Sequence, residues 1–303
     1  MKLLHGRKVA HVTIPDIASD SWLREPLPFT KMNGSGNDFV VIDNRQGILA
    51  SEALPDFTRA VCRRGLGLGA DGVVTIEDAR PDTDVDFRWR YINADGSEGD
   101  LCGNGAMCGA RFAVSAGLAP ASCRFETPAG IITAEVLAGG PAVRLEMVDA
   151  TITHRGLHLD DAAHITAFDR VTVGVPHVVA VASDVDAFAD FDAWGNMIRH
   201  HPDLAPEGAN ANLIQRLGPD TIRMRTWERG VEAETLACGT GSVASAIIAV
   251  TRKLVSQPVQ VITSSGRTLT VTWDQDDDVA KNVRLTGEAR FVARGTLDAE
   301  GFV

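Results

Sequence analysis

The sequence predicts an α/β chain, α+β in type, made of two related halves, each of short, largely antiparallel strands around one principal helix. Three observations carry this. Apolar runs of strand length recur along the chain, separated by Gly, Pro and Asp turns. Helical stretches are few. The segment "LCGNGAMC" around Cys102 returns as "ACGTGS" around Cys238, each Cys-Gly-x-Gly opening one of the two best helix candidates.

The elements follow in order. "FVVIDN" (39–44), "GVVTIED" (72–78) and "DFRWRYINAD" (86–95) read as strands, with a helix candidate at "PDFTRAVCRR" (55–64). After Cys102, "GNGAMCGARFAVSAGL" (103–118) starts with glycines and small polar residues, turns apolar, and ends before the strands 130–139 and 142–148. The second half repeats the theme. Strands are expected at 170–182 and 221–229, a helix at "GTGSVASAIIAVTRKL" (239–254), and strands at 259–266, 268–273 and 282–295. "RYINADGSEGDLCGNG" and "RTWERGVEAETLACGTG" are the corresponding segments. Two domains result: 27–147 with 288–303, and 148–287, the last strand returning to the first half. Residues 1–26 carry basic and acidic side chains without a continuous apolar stretch. They read as an extension of unknown role rather than a signal or transit peptide.

Composition narrows the function. Forty acidic against 29 basic residues give a net charge of −11, which argues against nucleic acid or an anionic membrane as partner. No apolar run reaches the ~18 residues of a membrane-spanning helix. Five cysteines in a chain of 303 residues suggest reduced thiols in the cytoplasm rather than a disulfide scaffold.

A cysteine just before a helix lies at the positive end of the helix dipole, which favours the thiolate. The Gly-x-Gly after it leaves backbone N–H groups open to a carboxylate or an enolate-like anion. If the two halves face each other, one thiolate takes a proton from a carbon while the opposing thiol delivers one to the other face. A lone cysteine at a helix start is most often a small buried hydrophobe; two in matching contexts are much less readily so explained. A redox pair is an alternative, although Cys-x-x-Cys is missing, and zinc would need further ligands near either cysteine, where none cluster.

"KMNGSGNDFVVID", "GADGVV", "NADGSEGDLCGNG", "GVPHVV", "EGANANLI" and "ERGVEAETLACGTG", in this order from about Phe29, resemble the diaminopimelate epimerase family. These are cofactor-independent isomerases of lysine and cell-wall precursor synthesis. The resemblance implies two pseudo-symmetric domains, each a strongly curved sheet wrapped around a central helix, with the active site in the cleft between them. It implies no cofactor, no metal, an amino-acid substrate and a homodimer. Cys102 and Cys238 would be the acid/base pair. Gly103 and Asn104, with Gly239 and Thr240, would hold the groups on the reacting carbon. Asn37, Asn93, Asn210, Glu228 and Arg229 would fix the substrate, Arg229 taking the distal carboxylate. His177 and Glu228 would tune the thiols.

Three positions depart from the family pattern: Val175 where an asparagine often precedes Pro-His, Gly72 where glutamine often follows Gly-Ala-Asp, and Met107 where arginine is common. A lost polar contact costs about 1–3 kcal/mol of binding where a partner is left unpaired, so these departures bear on the substrate more than on the chemistry. Racemisation of another amino acid, or a non-catalytic thiol-redox protein, are the rival readings. Three further signals carry less. "GLGADG" (67–72) has the dinucleotide-binding glycine spacing but follows a helix candidate and precedes a strand. "DQDDD" (274–278) lacks the glycine and glutamate of a calcium loop and reads as a hairpin tip. "RHHPD" (199–203) reads as surface.

Overall fold

The computed structural model describes residues 26–159, 165 and 167–298. Apart from Pro26, the expected extension 1–26 lies outside the described residues, as do 299–303. The first half runs β1 (Leu27–Gly34), β2 (Asn37–Asp43), α1 (Leu54–Val61), β3 (Gly72–Glu77), β4 (Phe87–Asn93), β5 (Glu98–Gly99), α2 (Gly103–Ser115), β6 (Ser122–Thr127), β7 (Gly130–Val136) and β8 (Ala142–Glu146). The second runs β9 (Ala150–Leu157), β10 (Phe168–Val173), β11 (Val175–Val181), α3 (Phe191–Arg199), β12 (Asn210–Arg216), β13 (Thr221–Glu228), β14 (Ala233–Thr235), α4 (Gly239–Thr251), β15 (Val259–Ile262) and β16 (Thr268–Asp276). The 19-residue β17 (Val279–Leu297) ends the described chain.

Each half closes on itself. In the first, β1–β2–β3–β4–β6–β7–β8 is a continuous ladder whose two ends both pair with β17. In the second, β10–β11–β12–β13–β15–β16 reaches β17 and returns through β9. The sense of pairing matches step for step: β2/β3 and β4/β6 are parallel, as are β11/β12 and β13/β15, and the other ring pairings are antiparallel. A parallel pair needs a crossover, and each of the four is made through one helix.

The crossover helices divide by composition. α2 and α4 are buried on nearly every side and touch strands all around their own ring, as an interior helix must. α1 and α3 are amphipathic and lie outside. α1 sets Leu54, Phe57 and Val61 against Val40, Ile42, Val73 and Ile92. α3 sets Phe191, Trp194 and Ile198 against Val178, Ala180, Ala211 and Leu213. Sequence reading missed α3, because Gly195 interrupts its short apolar spacing; it also missed β1, β6, β9 and β12 and took the β10–β11 hairpin for one strand over 170–182. That glycine is required: a Cβ there would come within 2.6 Å of the Cβ of Trp227.

Registers tie the halves residue to residue. Phe39 pairs with Gly72 across β2/β3, and His177 with Asn210 across β11/β12. Gly72 pairs with Asn93 across β3/β4, and continuing the Ala211–Trp227 register by one step sets Asn210 opposite Glu228. Asn37, which opens β2, therefore corresponds to Val175, Phe39 to His177, Gly72 to Asn210, and Asn93 to Glu228.

Two of the departures from the family pattern have packing causes. A Cβ on Gly72 would lie 2.4 Å from the Tyr91 ring and 2.5 Å from the Ile92 carbonyl, so the ring of Tyr91 excludes any side chain there. Met107 is fully buried, its sulfur against Gly287 of β17, so that position belongs to the core. Replacing Gly72→Gln is expected to destabilise the protein by at least ~1–3 kcal/mol through overpacking, read as a lowered Tm in thermal denaturation.

Candidate active site

Both cysteines stand where the sequence sets them, each as the N-cap of an interior 13-residue helix. Their backbones are near copies: φ −127°, ψ 113° at Cys102 and φ −124°, ψ 115° at Cys238. The glycine that follows each lies against the same methyl of Leu285 on β17, with Cβ positions 4.0 Å from it at Gly103 and 3.1 Å at Gly239. Two helix N-termini, one from each half, thus meet at one point of the shared strand. The second glycine of the later repeat keeps the first turn of α4 slim. A Cβ at Gly241 would be 2.6 Å from Oδ1 of Asn212, beneath α4.

Backbone N–H groups of the first turn reach both thiols: Asn104 and Gly105 donate to Cys102, and Gly241 to Cys238. The hydroxyl of Thr240 lies 3.7 Å from the Cys238 sulfur. These contacts favour the thiolate, as the sequence leads one to expect, but burial outweighs them. Desolvation pushes Cys102 up to about 11 and Cys238 well above the ordinary cysteine value. The expectation of a depressed thiol is therefore corrected: the helix termini moderate a rise they do not reverse.

Glu228, at the end of β13, adds to that rise at both sulfurs, so one carboxylate is felt on both sides of the cleft. It hydrogen-bonds the Cys238 thiol and the hydroxyl of Thr235, and burial raises its own pKa. Its register counterpart Asn93 is neutral. Asn93 spends its Nδ2 on Ser97 in the turn that follows, at 3.2 Å to the carbonyl and 3.1 Å to the hydroxyl.

His177 touches neither thiol through any hydrogen bond found among the described residues. Fully buried, its ring lies between the side-chain amides of Asn210, 3.4 Å from Nε2, and Asn212, 3.2 Å from Nδ1. Desolvation, helped by the charge of Arg229, pushes it down to about 3, so it is a neutral spacer. Asn210 in turn accepts the backbone N–H of Arg229 at 2.7 Å. The Arg229 guanidinium donates only to the Glu207 carbonyl, at 3.4 Å, and no carboxylate pairs with it among the described residues. Asn37 opens β2 directly after the Ser35–Gly36 turn. The second half holds that turn, because Oγ of Ser265 donates to the Ser35 carbonyl at 2.9 Å. Val175, where a polar side chain was expected, opens β11 without one.

The remaining signals resolve simply. The 67–72 segment lies between α1 and β3 and opens no helix, and 274–278 spans the exposed β16–β17 turn. His200 is exposed, but His201, expected at the surface, is buried and accepts the N–H of Asp203 at 3.2 Å. Among the described residues no cluster of three or more His, Cys, Asp or Glu side chains is placed to hold a metal. A polar cavity of about 290 Å³ is lined by Arg80, Arg88, Glu98, Asp100 and Glu126. Arg80 is paired with Glu126 there, and Glu98 with Arg90.

The diaminopimelate epimerase family model matches residues 29–153 and 170–292. The chain is 41% identical to the diaminopimelate epimerase of Aquifex aeolicus, over 90% of this chain and 99% of that one. It is 40% identical to that of Chlorobaculum tepidum, over 88% and 99%. Among solved structures it resembles a phenazine biosynthesis protein of the PhzF family from Bacillus anthracis (TM-score 0.68, 16% identity, 90% and 99% covered). It also resembles a hydroxyproline epimerase from Agrobacterium vitis (TM-score 0.63, 15% identity, 90% and 93% covered). Those two likenesses show the fold alone. With the family model spanning both halves and the thiol pair within it, the chain belongs to the diaminopimelate epimerase family.

Proposed function

We propose that this isomerase converts LL-diaminopimelate to the meso form by moving the α-proton between Cys102 and Cys238. The observation that supports the mechanism is the pair of matching N-cap cysteines from opposite halves, whose following glycines both lie against Leu285. One thiolate removes the α-proton as the C–H electrons pass into the adjacent carboxyl group, forming an enolate-like anion. The opposing thiol then protonates the carbon on its other face, and the configuration inverts. Gly103, Asn104, Gly239 and Thr240 hold the groups on the reacting carbon, and their first-turn N–H groups favour the developing negative charge. Asn37, Asn93 and Asn210 line the same site. Arg229, whose guanidinium has no paired carboxylate among the described residues, takes the distal carboxylate.

The raised thiols fit this chemistry. A thiolate desolvated in this way, with no cation paired to it, would be an unpaired charge removed from water. The substrate's α-ammonium brings the compensating positive charge, so proton loss from one thiol is coupled to binding. Glu228 next to Cys238, with only Asn93 at the corresponding place in the other half, makes the two sulfurs inequivalent and gives each direction of reaction its own base. His177 acts through Asn210 and Asn212. Val175 favours a second reading, racemisation of another amino acid, because the distal end of the site lacks a polar side chain there.

The division into 27–147 with 288–303, and 148–287, is part of the same reading. β17 leaves β16 after Thr286 and takes up β1 from Ala289, which supports a boundary between 287 and 288. A homodimer is supported by the outer edge of β17, where Arg290–Thr296 pairs with β1 on one side only among the described residues and Val292 is 63% exposed. Five free thiols fit a reducing cytoplasm.

Three outcomes are expected. Cys102→Ala and Cys238→Ala should each abolish formation of the meso isomer from LL-diaminopimelate, followed by NMR; full activity in either variant would contradict the mechanism. The wild-type enzyme assayed beside a panel of monocarboxylic amino acids separates the two substrate readings. The raised thiols also set the pH profile. The thiolate fraction grows as pH rises toward the raised pKa, so kcat/KM should climb across the neutral and alkaline range. Glu228→Gln removes the charge that lifts both sulfurs and should move that limb to lower pH, while lowering the maximal rate.

A further inference from the structure

Asn104 is 3% exposed, and its Oδ1 has no hydrogen-bond partner in the structure. The other end of the same amide is committed. Nδ2 of Asn104 donates to Oδ1 of Asn37 at 2.7 Å, and Nδ2 of Asn37 donates to Oδ2 of Asp71 at 3.1 Å. Asp71 is built in firmly. Oδ2 also accepts the N–H of Asp38 at 3.1 Å, Oδ1 accepts from the Arg64 guanidinium at 3.1 Å, and the Asp71 N–H donates to Oδ1 of Asp38 at 3.1 Å.

A side-chain amide can turn either end toward a neighbour, but a carboxylate only accepts. Asp71 therefore obliges Asn37 to present its NH₂ group, which turns the Asn37 carbonyl to Asn104. Asn104 must answer with its own NH₂, and its Oδ1 is left as a buried acceptor beside Cys102. A buried unfilled acceptor is unfavourable unless a donor arrives. The second half carries no such chain. The register counterpart of Asp71 is Ala209, and Thr240 occupies the place of Asn104 on α4.

We infer that Asp71, two amides removed from the cleft, fixes Oδ1 of Asn104 as the acceptor for the α-ammonium group of the substrate. The inference rests on the amino-acid reading above and deepens it. Because the chain exists on one side only, the site distinguishes the ammonium from the carboxylate on the reacting carbon before any proton moves. Asp71 is a positioning residue, and Asn37 serves as its relay.

The test is steady-state epimerisation of LL-diaminopimelate by three variants. Asp71→Ala removes the obligatory acceptor and frees the chain to reverse, so KM should rise about ten- to a hundredfold with a smaller change in kcat. Asp71→Asn must keep its carbonyl on the Asp38 N–H, the same oxygen that receives Asn37, so the direction is held and KM should stay within about threefold of wild type. Arg64→Ala removes the ion pair but keeps the acceptor, and should leave KM nearly unchanged. A wild-type KM for Asp71→Ala, an Asp71→Asn enzyme as weak as Asp71→Ala, or an Arg64→Ala enzyme with the same defect would each overturn the inference. If the alanine variant does not fold, Asp71→Asn decides alone: a folded enzyme with near-wild-type KM upholds it, and a folded one with raised KM overturns it. A wild-type enzyme that leaves LL-diaminopimelate unchanged would instead overturn the substrate reading, and this inference with it.

Discussion

The structure depends on one meeting point. Two interior helices, each held by its own closed ladder of strands, aim their N-termini at the same methyl of Leu285. The strand carrying that methyl belongs to both ladders, so β17 fixes the distance between the halves as well as the wall behind them. Helix N-termini repel one another through their partial positive charges and through unpaired N–H groups. An anion, or a group becoming one, is therefore favoured between them. A carboxylate on a carbon about to lose its proton meets that condition, and the proposed reaction uses it.

The second constraint is burial. The same packing buries Cys238 and half-buries Cys102, and desolvation lifts both more than the helix termini lower them. A reading of the helix dipole alone has the sign of the net effect wrong, because the dipole acts on a group whose larger loss is hydration. The rise holds both thiols protonated near neutral pH, and in the proposed reaction the substrate supplies the counter-charge for the thiolate.

Much of the architecture was legible because it is written twice. The two Cys-Gly-x-Gly turns located α2 and α4 to their first residue, since glycine and a small polar side chain at a helix start leave a local signature. α3 was not legible by the same route. It is short, and Gly195 answers to Trp227, a residue far away in sequence. The repeat itself carried the missing signal: α1 makes the crossover between parallel β2 and β3, and the matching pair β11 and β12 needs a helix at the corresponding place. The thiols and Arg229 were legible as chemistry. Asn93 and His177 were legible only as members of a family pattern, and in the structure one ties a turn while the other spaces two amides. Asp71 escaped notice because the direction of a hydrogen-bond chain depends on partners that sequence does not bring together.

Gly72 and Met107 mark places where a change of residue was absorbed by packing, against Tyr91 and Gly287 respectively. Val175 has no such compensation. The symmetry of the fold is thus close in backbone and loose in side chains, and the differences fall around the substrate. A carboxylate flanks one thiol and an amide chain the other, so two similar halves perform two unlike halves of one proton transfer.

The most direct test of opposed monoprotic bases is the early course of the reaction in D₂O, followed by NMR from the LL and the meso isomer in turn. A thiol in a closed cleft returns to the substrate only the proton it took, while the opposing thiol delivers deuterium from solvent. The account predicts deuterium at the α-carbon of the newly formed isomer in both directions, with the unreacted isomer unlabelled at early times. Deuterium entering the unreacted isomer as fast as the product forms, or product formed without deuterium, would contradict it.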